Sequence, residues 1–346
     1  MRITTTLSVF LCIYSAQFLS PGSVLAHHSR ANFNRDDPVE MTGTVTNYKW
    51  LNPHLYVDLE LSDGETWVLE GHNLPGAMRV GWTENTLTAG DQVRVGVTVD
   101  HNPDRKFALM AWVLTPDKKL LGVFNNRNLP DIEGAEIVQV EPTGSATPSK
   151  DFSGTWRASV NNFPLFEPPL QWPLTELGRQ QASSHDRDDD PLNRCIMRGT
   201  PRTVFAVSSS KWERFDSHIR ITKDLDNTVR TVWLDGRDRP DDWQPDRLGF
   251  SVGEIQGDTL TVETRGFSPD KWGNATGLDS SDKKIVSERY ELSRDGLKMD
   301  VSYTISDPVY LTGSATVGGN YRIVTDHVFA DADCSIESST MHLLFK

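Results

Sequence analysis

Residues 54–72, HLYVDLELSDGETWVLEGH, alternate apolar and polar side chains on both sides of a Ser-Asp-Gly turn, the mark of a half-buried β-hairpin. A three-residue loop with Gly64 in the left-handed conformation pairs Leu61 with Glu65 and sets the whole register. Counting back, Leu59 faces Trp67, Val57 faces Leu69 and Leu55 faces Gly71, all on one side. On the other side Tyr56 meets Glu70, and His54 meets His72.

The same alternation marks five strands: Met41 to Trp50, His54 to Leu61, Glu65 to Gly71, Asp91 to Val99 and Phe107 to Thr115. Only Leu74 to Glu84 between the third and fourth has room for a short helix. Three strands, a helix and two strands is the order of a five-stranded OB-like barrel. Apolar periodicity then fades over 133–151, where Pro, Gly, Ser and Thr gather as in a linker. Beyond it, short strands such as 218–222, 229–234, 259–264, 286–292 and 298–305 are divided by the turn sequences LDN, DGRDRP, QGD and RDG. Eight or nine such strands suit an antiparallel meander closing into a second barrel around a central cavity. The chain is therefore expected to be all-β, with an OB-like barrel over 27–132, a linker over 133–151 and a second barrel over 152–346. In the second unit HDRDDD, His185 to Asp190, reads as a solvated loop. Gly154 and Trp156 resemble the GxW opening of lipocalins, so this barrel is expected to be lipocalin-like, with Trp156 plugging the core.

Residues 1–26 read as a secretory signal. Arg2 is followed by a short apolar stretch from Leu7 to Leu19, a break at Ser20 to Gly22, and small residues at Val24 and Ala26. Cleavage after Ala26 exposes His27 and implies a periplasmic or secreted protein. No later segment approaches the ~18 to 20 apolar residues of a spanning helix, so no integral membrane segment is expected in the mature form. Loss of Arg2 takes the formal charge from −13 to −14. So acidic a surface repels phosphate backbones, which argues against nucleic acid as a partner.

Of three cysteines, Cys12 lies in the signal and does not resemble a lipid-attachment site. Cys195 and Cys334 remain, and an even pair in an exported chain predicts a disulfide. Such a bridge is expected to tie the final strand to an early loop of the second unit.

Opposed strand residues have Cβ atoms ~5 Å apart, close enough for His54 and His72 to share a metal ion. A terminal His27 would add its α-amine and its ring nitrogen, a chelate that resembles the histidine brace of lytic polysaccharide monooxygenases and periplasmic copper carriers. Nitrogen ligands of this kind favour copper first and zinc second. His28 and Glu70 are auxiliaries. A second function class is an enzyme, a hydratase, isomerase or hydrolase, acting on a small apolar molecule inside the second barrel. Its candidate groups are Asp235, Arg237 and Glu288. The simpler account makes Asp235 to Arg239 a turn and places Glu288 with Arg289 on a solvated strand. A third class is an envelope scaffold binding proteins through exposed strand edges.

The motifs AHHS (Ala26 to Ser29), GTVT (Gly43 to Thr46), WLNPH (Trp50 to His54), GWTENTL (Gly81 to Leu87) and GD (Gly90 to Asp91) fall in an order that resembles a family of exported bacterial proteins without an assigned function. FSGTWR, DGRDRP, GDTLTVET and SERYEL are similar to a region often joined to it. Relatives frequently carry His just before the Glu-Arg pair, where this chain has Lys283 and Lys284, which weakens any catalytic role built on that His. The resemblance implies a bacterial periplasm and supplies no reaction.

Overall fold

The structure, a computed structural model, describes residues 33–34, 38–140, 146–160, 167–205, 208–224, 227–325, 327, 329–330 and 333–345. Its first unit runs β1 (Val39–Lys49), β2 (Tyr56–Leu61), β3 (Thr66–Glu70), α1 (Leu74–Arg79), β4 (Gln92–Val99) and β5 (Phe107–Leu114). β1 pairs antiparallel with β2 and β4, β2 with β3, and β4 with β5, and a parallel β3–β5 pair closes the ring. This is the expected five-stranded barrel. The hairpin register is also as read, with Val57 opposite Leu69, Leu59 opposite Trp67 and Gly64 at φ 84°. Val45, Val57, Leu59, Leu69, Val95 and Val97 are fully buried inside it. α1 starts where Asn73 Oδ1 accepts the Gly76 N–H at 2.8 Å, an N-cap that satisfies one orphan donor.

Two short strands continue the sheet edge: β6 (Lys119–Gly122) pairs with β5, and β7 (Glu136–Ile137) pairs parallel with β6. β7 falls inside the stretch read as linker. That stretch is docked at both ends, because Ser149 N also donates to Gly296 O at 2.9 Å. Its polar composition hid backbone pairing, which needs no apolar side chain.

The second unit begins with β8 (Gly154–Val160), after which α2 (Glu176–Ser183) and α3 (Arg202–Phe205) lie in a long connection to β9 (Ser209–Arg214). β10 (His218–Lys223), β11 (Val229–Trp233), β12 (Phe250–Gln256) and β13 (Thr259–Arg265) follow. A side hairpin of β14 (Asp270–Ala275) and β15 (Leu278–Ser280) precedes β16 (Ile285–Leu292), β17 (Lys298–Ser306) and β18 (Ala315–Ile323). Nine of these strands close a barrel in the order β10-β11-β12-β13-β16-β17-β18-β8-β9. Trp156 is fully buried, and its Nε1 donates to Phe152 O at 2.9 Å, as a core plug should.

One junction departs from a meander. β11 and β12 run parallel, with Val232 opposite Ser251 and Trp233 opposite Val252. DGRDRP is thus no tight reversal but the start of the crossover that carries the chain from β11 back to the same end of the barrel. HDRDDD is also more ordered than a solvated loop. Asp186 Oδ1 and Asp190 Oδ1 cap two successive 3₁₀ turns, Arg187 is buried against Glu167, and Asp190 pairs with Arg202 at 3.1 Å.

Past β18 the chain returns to the first barrel. Ala330 joins its core, Ser335 N donates to Asn52 O at 2.7 Å, and α4 (Ile336–Thr340) brings Ser338 Oγ to His54 N at 3.1 Å and His54 O at 2.7 Å. Tyr56 OH donates to Ser338 O at 3.0 Å, and Met341 packs in the cluster formed by Tyr56 and Phe107. Cys334, at the root of this clasp, is bonded to Cys195, with Cα atoms 5.6 Å apart. The bridge therefore ties the clasp, not the last strand, to the connection between β8 and β9. Among the described residues no helix is long and apolar enough to cross a membrane.

Candidate functional site in the second barrel

Alternation along β16 turns Val286, Glu288, Tyr290 and Leu292 inward and leaves Ser287, Arg289 and Glu291 outside. Glu288 is thus not on a solvated face. Its carboxylate meets Arg230 from β11 through Nη1–Oε2 at 2.9 Å and Nη2–Oε1 at 2.5 Å. The guanidinium also donates to Ser251 Oγ at 2.9 Å and Thr264 Oγ1 at 2.8 Å. On its other side Glu288 accepts from Tyr290 OH at 2.6 Å, and Tyr290 OH lies 2.7 Å from Tyr303 OH. Burial works against the charge on Arg230, but the carboxylate beside it more than offsets this and raises its pKa. Burial, then the charge of Glu288, raises the Tyr290 phenol. Burial and then the neighbouring Tyr290 raise Tyr303 likewise, so both remain neutral.

Beside this network a small pocket is lined by Ser210, Trp212, Lys223, Arg230, Tyr290 and Tyr321 among others. Trp212 meets Tyr290 edge-on at 5.1 Å, and Tyr321 OH donates to Val204 O at 2.8 Å. The void holds about 20 Å³ of space for water centres, enough for one or two waters on the scale of interior cavities. The central cavity expected from the sequence is therefore mostly filled by side chains.

The three catalytic candidates do not come together. Arg237 Nε donates to both Asp235 oxygens at 2.9 and 3.0 Å, and its guanidinium stacks 3.6 Å above the Trp233 ring, all at the exposed start of the crossover. The hydrogen bond from Arg237 holds the Asp235 carboxyl below its usual range, where it serves as a surface partner. Glu288 has its partners inside the barrel.

In the first barrel, Gly71 N donates to Leu55 O at 2.8 Å while Leu55 N donates to His72 O at 3.1 Å. Two residues thus face one, as in a β-bulge, and the simple alternation stops short of His54 and His72. The His54 Nδ1 lies 3.4 Å from both Glu70 Oε1 and Gly71 O. The His72 ring instead lies against α1, where a Cβ on Gly76 would fall 2.6 Å from it, and against Phe124 at 4.9 Å. Its Nδ1 accepts the Asn73 N–H at 2.8 Å. His27 and His28 lie outside the described residues. Among the described residues no three His, Cys, Asp or Glu side chains gather as a metal set, so His54 and Glu70 offer two donors of the three or four a tight site needs.

Two groups escaped the sequence reading. Arg230 was legible as inward from its spacing to Val232, but its pairing with Glu288 was not. Lys284 is fully buried, its Nζ donating to Thr200 O at 2.8 Å, Gly273 O at 3.0 Å and Ser280 Oγ at 3.1 Å. Burial pushes this amine down to about 7, against the pull of Asp270 and Asp307.

No curated protein matches the chain. Among solved structures, the crystal structure of wild-type fluorescent protein UnaG is 13% identical, covering 50% of this chain and 97% of that one with a TM-score of 0.24. A point mutant of UnaG is 12% identical over 51% and 97%, again with a TM-score of 0.24. At those scores the likeness adds nothing to what the strands themselves show. Residues 18–107, which include the first barrel up to the start of β5, match a family of unknown function (DUF6152).

Proposed function

We propose that the chain is an exported binding protein whose second barrel takes a small carboxylate of about the size of acetate. The observation that carries this reading is the pocket itself. Its mostly apolar lining, with the rings of Trp212, Tyr290 and Tyr321, also includes Lys223, Thr203, Ser210 and Thr228. A polar head set among aromatic walls is the usual make-up of a small-molecule site. The volume limits the ligand to something that replaces one or two waters. Binding is favoured over catalysis because Glu288 is held by Arg230 and Tyr290, while Asp235 and Arg237 pair with each other elsewhere. Calorimetric titration with acetate tests this, with benzoate as the oversized control. Saturable heat with acetate, lost in Lys223→Met and weak with benzoate, is the expected result. No heat with either ligand would remove the reading.

A second reading, a copper or zinc site on the first barrel, is favoured by the His54–Glu70 pair and by its surroundings. The Tyr56 ring lies 6.5 Å from that of His54 and shares a cluster with Phe33. From Phe33 back to His27 the chain can reach roughly 20 Å at ~3.3–3.6 Å per residue. A terminus freed at His27 would thus come within range of His54, with His72 playing no part. Stoichiometric copper(II) binding by protein beginning at His27 is expected. It should be lost in His54→Ala and when one residue precedes His27, and retention in either case rejects the site.

A further inference from the structure

Three arginines whose charges act on one another lie at the seam between the barrels. On the outer wall of the second barrel β8 and β18 place Arg157 directly opposite Arg322. Like charges in directly opposed strand positions repel, so this pairing costs stability unless something compensates it. Arg79, in the last turn of α1 on the first barrel, lies close enough for its charge to act on Arg157 and to feel that of Arg322. Burial, then Arg79 and Arg322, pushes Arg157 down to about 10. Among the described residues none of the three forms an ion pair within 4.0 Å, and Arg157 Nε donates only to Ser209 Oγ, at 3.3 Å.

The carboxylate whose charge reaches Arg79 and Arg157 is Asp224, whose backbone N–H is held by Ser209 O at 3.1 Å. It is engaged elsewhere: Oδ2 stands 2.6 Å from His327 Nε2, with both side chains almost wholly buried. Its other oxygen, Oδ1, is buried and accepts no hydrogen bond among the described residues. A buried acceptor without a donor is costly, and the three guanidinia have this one carboxylate to share.

We infer that Arg79, Arg157, Arg322 and Asp224 form a site for a hydrogen phosphate group, free or esterified, at the seam between the two barrels. The planar guanidinia supply charge and paired N–H donors for the phosphoryl oxygens. Asp224 Oδ1 accepts from the oxygen that still carries a proton. That last contact discriminates, because sulfate is equally tetrahedral but has no proton to donate near neutral pH. Arg79 and Arg322 are exposed, so the site is open to solvent. It is separate from the barrel pocket, since Arg157 and Arg322 lie on the outer face of strands whose Trp156 and Tyr321 point inward.

The test is calorimetric titration of the whole protein at about pH 6, where a phosphate monoester still keeps its second proton in about half of the molecules, and at matched ionic strength, with inorganic phosphate, glycerol phosphate, sulfate and chloride. Saturable phosphate binding, at least tenfold tighter than sulfate, is expected. Arg157→Gln and Arg322→Gln should each weaken it at least tenfold, and Asp224→Asn should erase the preference over sulfate. Equal or tighter binding of glycerol phosphate identifies an esterified group as the ligand, and binding of inorganic phosphate alone identifies the free ion. The inference is overturned if phosphate does no more than sulfate or chloride, or if Arg322→Gln, a change at an exposed position, leaves its affinity intact.

Discussion

Each barrel is sealed by one parallel strand pair, β3 with β5 in the first and β11 with β12 in the second, and each has an apolar core, but the second adds a charged network to its interior. The first packs Val, Leu, Ala and Met around fully buried Val57 and Leu59. The second sets Arg230, Glu288, Tyr290 and Tyr303 in its interior, with Ser251 and Thr264 supplying hydroxyls. A dry core is stabilised by removing apolar area from water, at roughly 25 cal/mol per Å². A buried ion pair gains little net energy once desolvation is counted, and it holds only while every member is bonded. The contrast points to the first barrel as the frame and the second as the part whose interior was shaped by something other than stability.

The clasp offers the largest way to break this contrast. Cys195 and Cys334 are 139 residues apart, and opening so long a loop costs about 5 kcal/mol on the chain-entropy estimate. Cys334→Ala is expected to lower stability by up to that amount and to split denaturant unfolding into two transitions, because α4 would no longer be pinned across both barrels. One unshifted transition would show that the barrels are coupled by other contacts.

Next in size is Glu288→Leu, which strands a buried guanidinium and should cost about 3–5 kcal/mol. Adding Arg230→Met should recover most of the loss in denaturant titration. Failure of that rescue would mean the interior needs the pair for more than mutual neutralisation.

A pH titration sharpens the comparison further. Lys284 has a folded pKa of about 7, against about 10.4 for an unfolded lysine. Between those values the unfolded chain carries the proton and the folded chain has shed it, so stability rises with pH. The expected slope is about 1.4 kcal/mol per pH unit, measured by chemical denaturation, and Lys284→Met should remove it. An unchanged slope in that variant would assign the proton uptake to other groups. The smallest effect is expected from Arg237→Ala, which removes an exposed pair with Asp235 and the stacking on Trp233 and should shift the denaturation midpoint least of the four.

The resemblance motifs divide in the same way between local geometry and distant contact. WLNPH ends in His54, whose backbone is gripped by Ser338 from the far end of the chain, a contact between partners 284 positions apart. GWTENTL carries Trp82, which is buried with its Nε1 donating to Gly122 O at 2.9 Å. Neither partner was visible from the motif alone. SERYEL did announce, by alternation, that Glu288 and Tyr290 share a face with Val286, but not that the face points inward. Its partner Arg230 lies 58 residues away in sequence.

What the amino-acid sequence determined by itself was everything governed by neighbours in the chain: the Ser62–Gly64 turn and its register, the five strands and one helix of the first barrel, and the all-β class. Alternation and turn chemistry are local, so they can be read without knowing what lies across the core. Tertiary structure alone decided the parallel seam at β11 and β12, the bulge that turns His72 onto α1, the clasp at Cys334 and the meeting of three arginines between the barrels. Those depend on which distant segments share space, and side-chain period does not encode that.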